Sequence, residues 1–153
     1  VLAGKFEERL GFSQALNLAS GRITLNVQTK LTTFYPEMSL LDFIREQLGH
    51  DKPPNESECR LLNGLLRSCM VVTQQSDWKQ SYEISRFDLR RPGEIFIESG
   101  KNLIEYYGDG KKIVLKKTNF PCVEVYLPNE YQNPCHLPLE VCRIQAWQVY
   151  DKP

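Results

Sequence analysis

The chain has 153 residues, 41% hydrophobic and 25% charged, with 19 basic residues balanced by 19 acidic ones. That length suits one ordinary globular domain, or a small domain with an appended segment. No run approaches the ~20 apolar residues of a membrane span, and Lys5, Glu7, Glu8 and Arg9 break up the N-terminal segment as no signal peptide would.

The chain starts at Val1 without an initiator Met, and it reads as a piece of a longer protein. Its net neutrality hides an asymmetry. Residues 60–120 carry 11 basic and 7 acidic side chains, whereas residues 1–59 carry 6 and 8 and residues 121–153 carry 2 and 4. A mildly basic centre suits an anionic partner, although a bias of this size is often only a solvated face. The five cysteines, Cys59, Cys69, Cys122, Cys135 and Cys142, are odd in number, and three of them sit in apolar runs. They are expected to be reduced thiols of an intracellular protein, cytoplasmic or nuclear, and not a disulfide framework.

In chain order, residues 1–30 read as extended. Arg22 to Thr29 alternates apolar and polar side chains, the pattern of a strand with one buried face. Residues 39–49 form the clearest helix: Ser39 is a candidate cap with Asp42 as its partner, and Gly49 is a stop. Leu40, Leu41, Phe43, Ile44 and Leu48 make its apolar stripe. After a loop broken by Pro53 and Pro54, Glu56 to Arg67 reads as a second helix, with Leu61, Leu62, Leu65 and Leu66 inward and Gly64 weakening it by ~1 kcal/mol.

From Cys69 the pattern is β. Strands are expected at Cys69–Thr73, Tyr82–Ser85, Ile95–Glu98, Ile113–Leu115 and Val123–Leu127, with a turn at Gln75–Asp77. Asn102 to Gly108 reads as a short helix. A Pro-containing loop then leads to His136–Leu137 and the run Glu140–Ile144. Short, closely spaced strands with helices at one end suggest an α+β fold built on a small barrel.

Catalytic sets are missing. The two histidines, His50 and His136, stand alone, no Cys-x-x-Cys pair offers metal ligands, and Gly108-Asp109-Gly110-Lys111 lacks the frame of a phosphate loop. Nothing supplies a nucleophile with a plausible base and orienter. A binding module without metal or organic cofactor is therefore expected, and not an enzyme.

Three segments, in order, resemble one family. The first is Gly11-Phe12-Ser13-Gln14, then Gly21 to Val27, Phe34-Tyr35 and Leu40-Leu41-Asp42-Phe43; the second is Arg90-Arg91-Pro92 with Phe96 following; the third is Phe120 to Val125 and His136-Leu137-Pro138-Leu139-Glu140-Val141-Cys142. Together they are similar to the PAZ domain of eukaryotic Argonautes with the linker that precedes it. The resemblance implies a linker over 1–35, a PAZ domain over 36–145 and the start of a following linker over 146–153. It implies a small OB/SH3-like β-barrel with two N-terminal helices and an inserted β-hairpin and helix. It also implies a role: a monomeric module anchoring the 3′ end of a single-stranded small guide RNA, beside other domains of the same chain and without a membrane.

Carried over by position, Tyr82 and Tyr106 match tyrosines at the end phosphate, and Phe96 matches the aromatic under the terminal base. Lys111 matches a side chain near the backbone, Leu137 one lining the terminal sugar, and Tyr107 a neighbouring aromatic more often buried than RNA-facing. Such a set agrees with sequence-independent binding of a single strand through phosphate, sugar and stacked base. Two positions depart: Gln80 stands where the family has Arg, and Gln74 where it has His. Glutamine donates without charge, and a lost Arg–phosphate contact costs ~1–3 kcal/mol. Two alternatives stay open: a degenerate PAZ domain acting as a protein scaffold, and a PAZ domain of a Dicer nuclease that binds duplex 3′ overhangs. Trp78, at an expected hairpin tip, either packs on the hairpin or offers a stacking surface.

Overall fold

A computed structural model describes residues 6–19, 21–73 and 80–150. The fold is α+β, with a two-stranded sheet, a five-stranded sheet and three helices among these residues. The expected turn at 75–77 and Trp78 lie outside the described residues.

Strands β1 (Glu7–Ala19) and β2 (Arg22–Phe34) pair antiparallel as a long ribbon turning at Gly21, whose φ of 75° suits glycine. The alternation read in β2 is there, but its expected buried face is not: every residue from Arg22 to Leu31 is exposed. The register explains the pattern. Leu10 faces Leu31, Leu16 faces Leu25 and Leu18 faces Ile23, so one face of the ribbon is apolar and no other described element covers it.

Helix α1 (Leu40–Leu48) buries Leu40, Phe43 and Ile44, with Leu41 and Leu48 packed at the margin. Gly49 closes it in the left-handed conformation at φ 75°. Ser39 occupies the N-cap position, yet its side chain makes no cap; its backbone instead bridges to Arg143. Helix α2 (Glu56–Leu66) starts at a reciprocal capping box, Asn55 with Glu58 at 2.9 and 3.1 Å. Its buried face is Cys59, Leu62 and Leu66, while Leu61, expected inward, is 54% exposed.

The main sheet contains β3 (Met70–Thr73), β4 (Ser81–Asp88), β5 (Cys122–Leu127), β6 (Glu130–Pro138) and β7 (Cys142–Ile144), in the order β6-β5-β4-β3-β7. The expected barrel is not closed by pairing: β6 and β7 are edges, unpaired with each other among the described residues. The sheet is nonetheless strongly curled. Pro138 lies level with Asp88 and Cys142 with Thr73, at opposite ends of β4. Laid flat, those points would be separated by four strand spacings, ~19 Å, and by ~23 Å along β4. The 3₁₀ turn Leu139–Val141 joins them directly, and such a link reaches at most ~14 Å. Register shifts at Ile84/Arg86 and Val125/Leu127 supply the bend.

Other expectations change. Ile95–Glu98 is not a strand; only Phe96 bridges to Asn102, so the expected inserted hairpin is reduced to one bridge. Ile113–Leu115 joins no strand ladder among the described residues, although Leu115 is buried. The expected loop over 130–135 is the outer half of β6. Pro134 is tolerated there because an edge strand leaves one side of its ladder unused.

Candidate functional site

Between the sheet and the inserted segment 95–113 lies an open cavity of about 470 Å³. Its walls come from four parts of the chain, each fixed by local structure. Tyr82 stands on β4 opposite Val71. Phe96 is held by its bridge to Asn102 and by the Ile97 N–H, which donates to the Lys101 carbonyl at 2.9 Å. Asn102 caps α3 (Leu103–Glu105) by accepting from the Glu105 N–H at 2.9 Å.

α3 runs without a break into a π-helical turn, Tyr106–Gly110. Such turns are rare and concentrate at functional sites, because the wider turn re-aims its side chains. This one places Tyr106 and Tyr107 edge to face, ring centroids 5.3 Å apart. Lys111 follows directly, and the Ile113 N–H donates to the Tyr107 carbonyl at 2.8 Å. Cys135 and Leu137 project from β6 on one side of its pleat.

Seven of the eight sequence-selected positions line this cavity: Gln80, Tyr82, Phe96, Tyr106, Tyr107, Lys111 and Leu137. Gln74, the eighth, lies outside the described residues. Phe96 is 64% exposed, so its ring is available at the rim, whereas Leu137 and Tyr107 are buried in the wall. The Gln80 amide donates to the Ser81 carbonyl at 3.1 Å. Burial lifts the Tyr82 hydroxyl above its ordinary pKa and lifts that of Tyr107 much further. Both are therefore neutral donors at physiological pH.

Sequence reasoning missed several wall residues: Thr73, Glu98, Cys135 and His136. Cys135 and His136 were legible in principle, since they flank Leu137 in a strand, but the polar stretch before them reads as loop. Chemically, the wall offers apolar and aromatic faces, neutral hydroxyls, one lysine and one acid, Glu98. That suits a sugar and base with a single nearby negative charge better than a dense phosphate cluster.

Among the described residues, no group of three or more His, Cys, Asp or Glu could hold a metal ion. No helix among the described residues is long and apolar enough to cross a membrane. Cys59, Cys69, Cys122 and Cys142 are buried and Cys135 is exposed; burial pushes the Cys122 thiol up to about 12.

No family model matches the chain. Protein argonaute 1D of rice, Oryza sativa subsp. japonica, is 26% identical over 151 residues, a match covering 93% of this chain and 14% of that protein. Protein argonaute 1A of the same plant matches with the same identity and the same coverage. The chain thus spans about 14% of the length of these relatives. The fold is similar to part of a crystal structure of Kluyveromyces polysporus Argonaute with a guide RNA, at a TM-score of 0.66 and 17% identity, over 97% of this chain and 19% of that one. The chain is thus similar in sequence to these Argonautes along nearly all of its length, and its fold is similar to part of one over the same span.

Proposed function

We propose that the chain is a PAZ domain with its preceding linker, and that its cavity anchors the 3′ end of a single-stranded small guide RNA. The observation that carries this reading is convergence. Tyr82, Phe96, Tyr106, Lys111 and Leu137 are scattered over 56 residues of sequence, and they line one cavity. In this reading the terminal base rests on Phe96, the terminal sugar lies against Leu137, and the hydroxyls of Tyr82 and Tyr106 donate to the last phosphate, beside the charge of Lys111. The guide RNA held by the Kluyveromyces polysporus Argonaute is in keeping with such a ligand.

The curled sheet is, on this reading, the OB/SH3-like barrel of the domain, over 36–145, with linker residues before and after it. The module is a monomer inside the cell, and any cleavage of RNA belongs to other domains of the same protein.

The test is fluorescence anisotropy with a short single-stranded RNA ending in a free 3′ hydroxyl, compared with the same strand carrying a 3′ phosphate. A preference for the free end is expected, and Tyr106→Ala is expected to weaken it by ~5- to 10-fold, the loss of one hydrogen bond of ~1 kcal/mol or slightly more. Equal, weak binding of both ends would overturn the reading in favour of a protein-interaction scaffold.

A further inference from the structure

Four lysines lie within seven residues after the π-helical turn: Lys111, Lys112, Lys116 and Lys117. All four are exposed. Three other cations are paired locally: Arg86 with Glu124 at 2.5 Å, Arg90 with Asp88 at 2.7 Å and Lys101 with Asp109 at 3.4 Å. The ammonium groups of these four lysines have no acidic partner within ion-pair distance among the described residues.

The segment that carries them is not a strand, yet it is pinned. The Glu140 carboxylate accepts the main-chain N–H of Lys116 at 3.0 and 3.1 Å and that of Lys117 at 2.9 Å. Leu115 is buried beneath, and the Ile113 N–H is tied to Tyr107. The Glu140 carboxylate thus holds the backbone, and the lysine side chains are exposed, with the Lys117 ammonium 5.8 Å from the centre of the Phe120 ring. Lys111 belongs to both surfaces, being part of the cavity wall and the first residue of the basic segment.

We propose that residues 111–117 form a basic ledge that carries the sugar-phosphate backbone of the strand whose end occupies the cavity. This inference rests on the end-binding reading above and adds the direction in which the strand leaves the cavity. The segment spans at most ~20 Å, so the ledge takes the phosphates of the few nucleotides just before the end. Lysines read charge and not sequence, as a module handling many different strands requires.

The experiment measures anisotropy binding of short single-stranded RNA from ~50 to ~200 mM salt, for the 153-residue chain and for the triple variant Lys112→Gln, Lys116→Gln, Lys117→Gln. Lys111 is left in place because it lines the cavity. Each phosphate contact on a single strand contributes about 0.7 to the slope of log affinity against log salt, so the triple variant is expected to lower that slope by about 2. The preference for a free 3′ end over a 3′ phosphate is expected to stay as it was. An unchanged slope with the end preference intact overturns the ledge and leaves the cavity reading standing. A lowered slope in a protein with no end preference overturns the cavity reading and leaves the ledge as a general backbone surface. A charge-matched control, Arg22→Gln, Lys30→Gln, Lys52→Gln, that lowers the slope equally would overturn the ledge, because net charge alone would then account for the effect.

Discussion

Asp88 is one of the few buried acids, 5% exposed, and its surroundings explain why it stays charged. The Arg90 guanidinium grips both carboxylate oxygens, with Nη2 at 2.7 Å and Nε at 3.2 Å, and the Arg90 backbone N–H donates at 3.0 Å. His136 Nε2 lies 3.0 Å from Oδ2, within ion-pair distance but out of line for a hydrogen bond. The Arg90 hydrogen bonds hold the Asp88 carboxyl at about 2, well below its ordinary value, against the opposing effect of burial. A carboxyl depressed in the folded state stabilises the fold fully above its unfolded pKa, and that stability is lost as pH falls through the folded value. The pair is therefore expected to contribute on the order of 1–2 kcal/mol above about pH 4, reduced because Arg90 is half exposed, and to lose it as pH falls towards 2. Urea unfolding of the wild type and Asp88→Asn at pH 7 and pH 3 checks this. Asp88→Asn should be the weaker protein at pH 7, and its deficit should shrink at pH 3. A deficit that stays constant with pH would mean that the shape of the side chain matters and its charge does not.

At the scale of elements, the ribbon β1–β2 poses the sharpest question. Two-stranded ribbons are marginal by themselves, and this one exposes Leu10, Phe12, Leu16, Leu18, Ile23, Leu25, Val27 and Leu31 on a single face. The cross-strand pair Leu16 and Leu25, 73% and 56% exposed, already sits in water. Replacing both with Lys should leave the melting temperature within the ~0.5 kcal/mol range of ordinary surface changes. It should also reduce self-association at high concentration, since large apolar patches are sticky. By contrast, Phe43→Ala in α1, where the ring is fully buried, should cost ~3–5 kcal/mol. Thermal melts with sedimentation velocity decide, and a large loss of stability from the Lys pair would show that the apolar face is covered. The same ribbon marks what can be read from sequence. Alternation reveals a strand and its apolar face, but not whether anything packs there. The runs at 95–98 and 113–115 erred the other way, because apolar periodicity reports burial and not pairing, and these segments plug the core and wall the cavity without joining a ladder. The outer half of β6 was illegible because an exposed edge strand can be as polar as a loop and can hold Pro134. Helices α1 and α2 were legible because capping residues and a 3.6-residue period agree. The cavity was legible through family resemblance alone, since nothing in spacing links Tyr82, Phe96, Tyr106 and Leu137.

Across the whole molecule, the curled sheet is held at the end away from the cavity by the returning C-terminal segment. The Gln148 side chain grips both main-chain groups of Met70, accepting from its N–H at 2.5 Å and donating to its carbonyl at 2.8 Å. Nearby, the Tyr35 N–H donates to the Gln148 carbonyl at 2.9 Å and the Tyr150 N–H to the Thr33 carbonyl at 2.7 Å. The rings of Phe6, Tyr35, Phe43 and Tyr150 pack together, with centroids 4.6–5.7 Å apart. One short segment thus joins the base of the ribbon, α1 and the first residue of β3. At the other end of β3, Thr73 lines the cavity. Gln148→Ala leaves the half-buried N–H of Met70 to find water, while its carbonyl keeps the Gln145 N–H at 3.0 Å; the loss should cost ~1–3 kcal/mol. If the sheet is rigid along β3, that loss stays local: the melting temperature falls, and the preference between RNA ends does not change. If the curl is held only by this clamp, its loss opens the cavity, and end discrimination falls with stability. The rigid outcome is the expected one, because β3 is paired on both sides, to β4 and to β7, between the clamp and the cavity. Parallel melts and anisotropy titrations of the single variant separate the two.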